Sequence, residues 1–99
     1  MYVDLKARRC PDAQVLVNRL LEAFSLSHEP NLVIQSIEPS LVRNINGRIA
    51  GMDLKLKITT VEERPINATD ISSWSEDYDE EDFGDVQCIQ TIAIERGED

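Results

Sequence analysis

The chain has 99 residues, room for one domain, and 41% of them are hydrophobic, enough for a core and too many for a disordered chain. Its 10 basic and 19 acidic residues leave a net charge of −9. That balance excludes binding nucleic acid through its phosphates and adhering to an anionic membrane, both of which need a basic face.

In chain order, Val3, Leu5 and Ala7 alternate with Tyr2, Asp4 and Lys6, the pattern of a short strand, with a helical turn as the alternative. In PDAQVLVNRLLEAFS, the apolar residues Ala13, Leu16, Val17, Leu20, Leu21 and Phe24 recur at helical spacing. This predicts an amphipathic helix ending near Ser25, with Pro11 in its first turn and Asp12 complementing its dipole. The run LVIQSIE is rich in β-branched residues and is stopped by Pro39, so it reads as a strand. Within SLVRNINGRIAGMDLKLKITTVEE, the pair Asn46-Gly47 is a tight-turn signal. It predicts a hairpin in which residues 41–44 pair with the start of a long strand, with Gly51 as a bulge. Met52, Leu54, Leu56 and Ile58 alternate with polar residues, giving that strand one buried face. The last strand is expected over residues 86–95. Ile92 and Ile94 share a face there and Ile89 takes the other, which fits a strand covered on both sides or one with a bulge.

The expected architecture is a single α+β domain over residues 1–99. One amphipathic helix packs on an antiparallel meander sheet, with an acidic loop or arm at 65–85 before the last strand. The amino-terminal MYVDLKARR has no apolar run after its charges, so no export signal is expected. Cys10 and Cys88, far apart in sequence, are then read as free and buried rather than bridged, in a chain made in a cytoplasm. No apolar stretch is long enough to span a membrane.

Motifs of known chemistry do not assemble. Asp82-Phe83-Gly84 matches a kinase metal-binding triplet in letters only, without a glycine-rich loop or the catalytic-loop triplet. A calcium loop opening at Asp77 would need glycine where Asp82 stands and glutamate where Cys88 stands. His28 is the only histidine and reads as a surface residue. Two cysteines and one histidine cannot close a zinc site. Asn67-Ala68-Thr69 fits a glycosylation sequon by chance if the chain is not exported. No cofactor, metal or catalytic group is expected.

One segment stands apart. Residues 74–85 read WSEDYDEEDFGD, and no Lys or Arg occurs from 65 to 95. Outside this region basic and acidic residues nearly balance, so the acidity is local. A solvated loop explains the acids but not the rings, since Trp74, Tyr78 and Phe83 are three of the five aromatic residues. Rings spaced through an acidic segment suggest docking, with the rings as anchors and the charges selecting a basic surface. The dock is the chain's own sheet or a neighbouring subunit. The candidate partner-binding residues are Trp74, Glu76, Asp77, Tyr78, Asp79, Glu80, Glu81, Asp82, Phe83 and Asp85.

The stretch NLVIQSIEPSLVRNINGRIAGMDLKLKITT, a strand, a broken hairpin and the amphipathic GMDLKLKI, resembles the sheet region of small tail-terminator or tail-completion proteins of tailed phages. The likeness covers roughly residues 12–60 and rests on pattern. It implies a non-enzymatic virion component that forms rings or tubes through β-edges and the arm, with its own copies and other virion proteins as partners. The alternative is a small acidic inhibitor whose carboxylates stand in for phosphates in the basic site of a nucleic-acid enzyme.

Overall fold

The computed structural model describes residues 1–97. Along the chain lie β1 (Tyr2–Asp4), α1 (Asp12–Leu26), β2 (Asn31–Ser36), α2 (Leu41–Gly51), β3 (Leu56–Pro65), α3 (Ala68–Trp74), α4 (Glu80–Phe83) and β4 (Cys88–Arg96). The four strands form one sheet in the order β1-β2-β4-β3. β1 runs parallel to β2, while β4 is antiparallel to both β2 and β3. The fold is α+β, with a mixed sheet in place of the expected meander. The parallel pair follows from α1, which supplies the long crossover that two parallel neighbours need.

α1 forms where the apolar stripe predicted it. Ala13, Val17, Leu21 and Phe24 are fully buried, and Leu16 and Leu20 pack at their side. They meet Leu32 and Ile34 of β2 and Ile92 and Ile94 of β4 in the main core. The last turn of α1 holds no basic residue; Arg96 from β4 takes that role. Its guanidinium donates to the Phe24 carbonyl at 3.0 Å, also to the Ser27 carbonyl, and stacks 4.9 Å from the Phe24 ring centroid. A cation from the sheet thus answers the orphan carbonyls and the negative end of the helix dipole.

The hairpin expected around Asn46-Gly47 is instead α2. The apolar residues Leu41, Val42, Ile45 and Ile49 of that segment fall at helical spacing, and all four reach the core. Burial of this stripe outweighs the local turn preference of Asn-Gly. Gly51 ends the helix and is no bulge; the register shift falls at Thr59, where Ile58 faces Ile94 and Thr60 faces Ala93. The extra residue sets Ile58 opposite Ile94 and Val61 opposite Ile92 although they are three apart; Ile58 packs on the core, and Val61 stays 40% exposed. Residues 52–55, expected in the strand, form the turn before it.

Gly47 distinguishes helix from hairpin experimentally. A Cβ built there meets nothing within 4 Å, and its φ is not positive. Gly47→Ala should therefore stabilise the domain by about 0.5–1 kcal/mol in denaturant unfolding, because it removes unfolded-state freedom at a helical site. A type I′ turn would give the opposite sign.

Both thiols are free; Cys10 is exposed and Cys88 half-buried, against the expectation that both are buried. Cys10 lies in the connection into α1 at the surface, and Cys88 opens β4 at the end of the sheet. No helix among the described residues is long and apolar enough to cross a membrane.

Candidate functional site

The arm, residues 66–87 between β3 and β4, is built from two short helices rather than an open loop. α3 starts at a reciprocal cap: the Asn67 side chain accepts from the Asp70 N–H at 2.9 Å, and the Asp70 carboxylate accepts from the Asn67 N–H at 3.0 Å. Two orphan donors are satisfied at once. The asparagine of the sequon is therefore a helix cap. Arg64, at the end of β3, grips the same Asp70 carboxylate through both terminal nitrogens at 2.7 and 3.0 Å. That bidentate pair lowers the Asp70 pKa and ties α3 to the strand. α4 repeats the device, the Asp82 carboxylate accepting from the Asp79 N–H at 2.9 Å.

These helices turn the rings inward. Trp74 is only 3% exposed and forms a second core with Ala7, Ile37 and Ile89, against which Tyr78, Phe83, Ile66 and Val86 pack. The Trp74 and Phe83 ring centroids are 5.6 Å apart at 53°, the tilted arrangement that ring quadrupoles favour. The second core lies on the sheet face opposite α1 and α2. Ile37 continues β2 on that side, and Ile89 of β4 points away from Ile92 and Ile94 because strand side chains alternate. β4 is thus covered on both sides, by helices along most of its length and by the arm at its start.

The far end of the arm is fastened by Arg9. Its guanidinium holds the Asp85 carboxylate at 2.6 and 3.2 Å, the Asp82 carbonyl at 3.0 Å and the Glu38 carboxylate at 3.1 Å. Glu38 is the one buried acid among the described residues. Burial alone would push its carboxyl up. The N–H groups of Cys10 and Ser40, the Ser40 hydroxyl and Arg9 outweigh that and hold it at about 2. Cys10 and Ser40 stand just before the first turns of α1 and α2, so one anion serves two helix starts and the arm's anchor together.

The ten candidate residues therefore divide. Trp74, Tyr78 and Phe83 belong to the chain's own packing; Asp82 and Asp85 hold the arm's shape. Glu76, Asp77, Asp79, Glu80 and Glu81 are exposed, and none makes an ion pair among the described residues. Five carboxylates are presented on a platform that the remaining residues fix. Arg9, Glu38 and Arg64 escape a sequence reading because their partners are distant in the chain or chosen by the fold. His28 is exposed in the α1–β2 loop. Among the described residues no group of three or more His, Cys, Asp or Glu side chains is arranged to hold a metal ion.

Over residues 31–60 the first expected strand forms as β2, the expected hairpin is α2, and of the amphipathic GMDLKLKI only residues 56–58 lie in a strand. Comparison with protein-family models, with curated proteins and with solved structures gives no match.

Proposed function

We propose that the chain is a non-enzymatic protein-binding module that works within a larger assembly, meeting a basic partner through the outer side of its arm. The observation that carries this reading is the segregation within the arm, rings inward and unpaired carboxylates outward. Like charges crowded on one short segment repel one another and destabilise the compact state. A segment needed only to cover Ile37 and Ile89 has no use for them. Fixed carboxylates do steer and orient a basic protein surface, whereas they repel phosphates.

The setting that the sequence resemblance implies, ring or tube contacts in the neck or tail of a virion, is part of this proposal. Self-association would use the outer edge of β3, which has no neighbouring strand among the described residues. That edge carries the bulge at Thr59, the charges of Lys57, Glu62, Glu63 and Arg64, and Pro65 at its end. Such features discourage indiscriminate strand pairing, so the arm is the preferred contact. Inhibition of a nucleic-acid enzyme is the second reading, favoured by the fixed presentation of the same carboxylates.

A random peptide array tests the proposal with the wild-type chain and a variant carrying Glu76→Gln, Asp77→Asn, Glu80→Gln and Glu81→Gln. None of the four side chains makes an ion pair within the fold, so the variant keeps its structure. The wild type should select Lys- and Arg-rich peptides, losing them as salt rises, and the variant should bind them about ten- to a hundredfold more weakly. Selection of peptides without basic residues, or equal binding by the variant, would contradict the proposal.

A further inference from the structure

We infer that the arm contains a specific seat for a short amphipathic, basic segment of a partner protein. The inference rests on the reading of the arm as the contact surface and adds where on it the partner sits and with what chemistry. Between α3, α4 and the flanking ends of β3 and β4 lies an open groove of about 580 Å³. Its apolar lining is Ile66, Ile71, Phe83 and Val86, with Glu80 and Gln87 also facing it. Ile71 is 40% exposed although Trp74, three residues further along the same helix, is buried. A large aliphatic side chain left wet inside a concave surface is a ready anchor for another apolar group.

Charge complementarity selects the occupant. Every charged residue from 66 to 87 is acidic, and two of those acids, Asp70 and Asp85, are already neutralised by Arg64 and Arg9. α4, which brings Phe83 into the groove, is Glu-Glu-Asp-Phe. An apolar segment bearing acids is repelled at Glu80 and Glu81. A purely basic segment leaves Ile71 and Phe83 in water. Leucine-like side chains over Ile71 and Phe83, with Lys or Arg reaching Glu80 and Glu81, satisfy both, as in the binding of amphipathic helices to grooves.

The test is an amide-NMR titration of the full chain with two synthetic helical peptides, one of Leu and Lys in amphipathic order and one with each Leu replaced by Ser. The Leu/Lys peptide should shift the amides of Ile66, Ile71 and residues 83–87. Ile71→Gln should weaken it roughly tenfold, the loss expected from removing about half of one aliphatic contact. The Lys/Ser peptide should bind more weakly and be indifferent to Ile71→Gln. Ile71 is partly exposed, and a thermal melt establishes that its variant is folded. Absence of Leu/Lys binding, shifts that map elsewhere, or an unchanged affinity in Ile71→Gln would overturn the inference. If affinity then still falls in Glu80→Gln/Glu81→Gln, the acidic contact surface stands without the groove. If neither substitution matters, both fail.

Discussion

Trp74→Ala should destabilise the domain by about 3–5 kcal/mol, the range for deleting a fully packed aromatic side chain. Trp74 is 3% exposed and is the one ring among the buried described residues of the second core, where it clusters with Ala7, Ile37 and Ile89. α3 has seven residues and α4 has four, too short to persist as helices without packing. Losing the ring therefore releases the arm as a unit and uncovers Ile37 and Ile89, adding exposed apolar area to the cavity cost. Urea unfolding followed by circular dichroism measures the change, since the variant no longer contains a tryptophan. Trp74→Phe should recover a substantial part of the loss. A cost under about 1 kcal/mol for the alanine variant would mean that the ring does not hold the arm.

The second large effect is at Glu38. Glu38→Ala leaves the N–H groups of Cys10 and Ser40 and the Arg9 guanidinium without their acceptor at a buried site. Unanswered buried donors cost about 1–3 kcal/mol and a broken buried ion pair about 3–5. Arg9 retains Asp85, so the expected loss is about 2–4 kcal/mol. The same carboxylate sets a pH dependence. Its folded value of about 2 lies below the ordinary 4.5, so the unfolded chain takes up the proton first as the pH falls. The stabilisation is fully present above about 4.5 and is lost between there and about 2, amounting to roughly 3 kcal/mol. Asp70 and Asp85, lowered by their arginines, act in the same direction. Protonation of the solvent-facing acids relieves repulsion and acts against it. The clean readout is the difference in unfolding free energy between wild type and Glu38→Gln, which should shrink as the pH drops through that window. A difference that stays constant with pH would place the stabilising role outside the charge.

What the sequence displays and what it conceals divide along physical lines. α1 was legible from its apolar period and β2 from its β-branched run, and the position of Ile89 opposite Ile92 and Ile94 left two readings of β4, a strand covered on both sides or one with a bulge, of which the structure shows the first. The segment at 41–51 was misleading because two local signals compete there. Asn46-Gly47 favours a turn, while Leu41, Val42, Ile45 and Ile49 favour a helix, and only tertiary burial decides between them. The parallel placement of β1 depends on the crossover, which no window of sequence contains. In the arm, the rings marked a docking element but not its dock. Which acids are spent on structure was hidden for a related reason. Arg9 and Asp85 are separated by 76 positions, so nothing local distinguishes Asp85 from Glu81.

The arm is anchored in its own domain through Trp74, Arg9 and Arg64 and so presents its carboxylates outward. The fluorescence of Trp74, the only tryptophan, measured with acrylamide quenching across a dilution series, tests it most directly. A blue-shifted, poorly quenched emission that does not change on dilution, and is the same after Glu80→Gln/Glu81→Gln, is the predicted result. An emission that shifts to the red and becomes quenchable in dilute protein would mean that the ring is buried by a neighbouring molecule and that the arm is not anchored in its own domain.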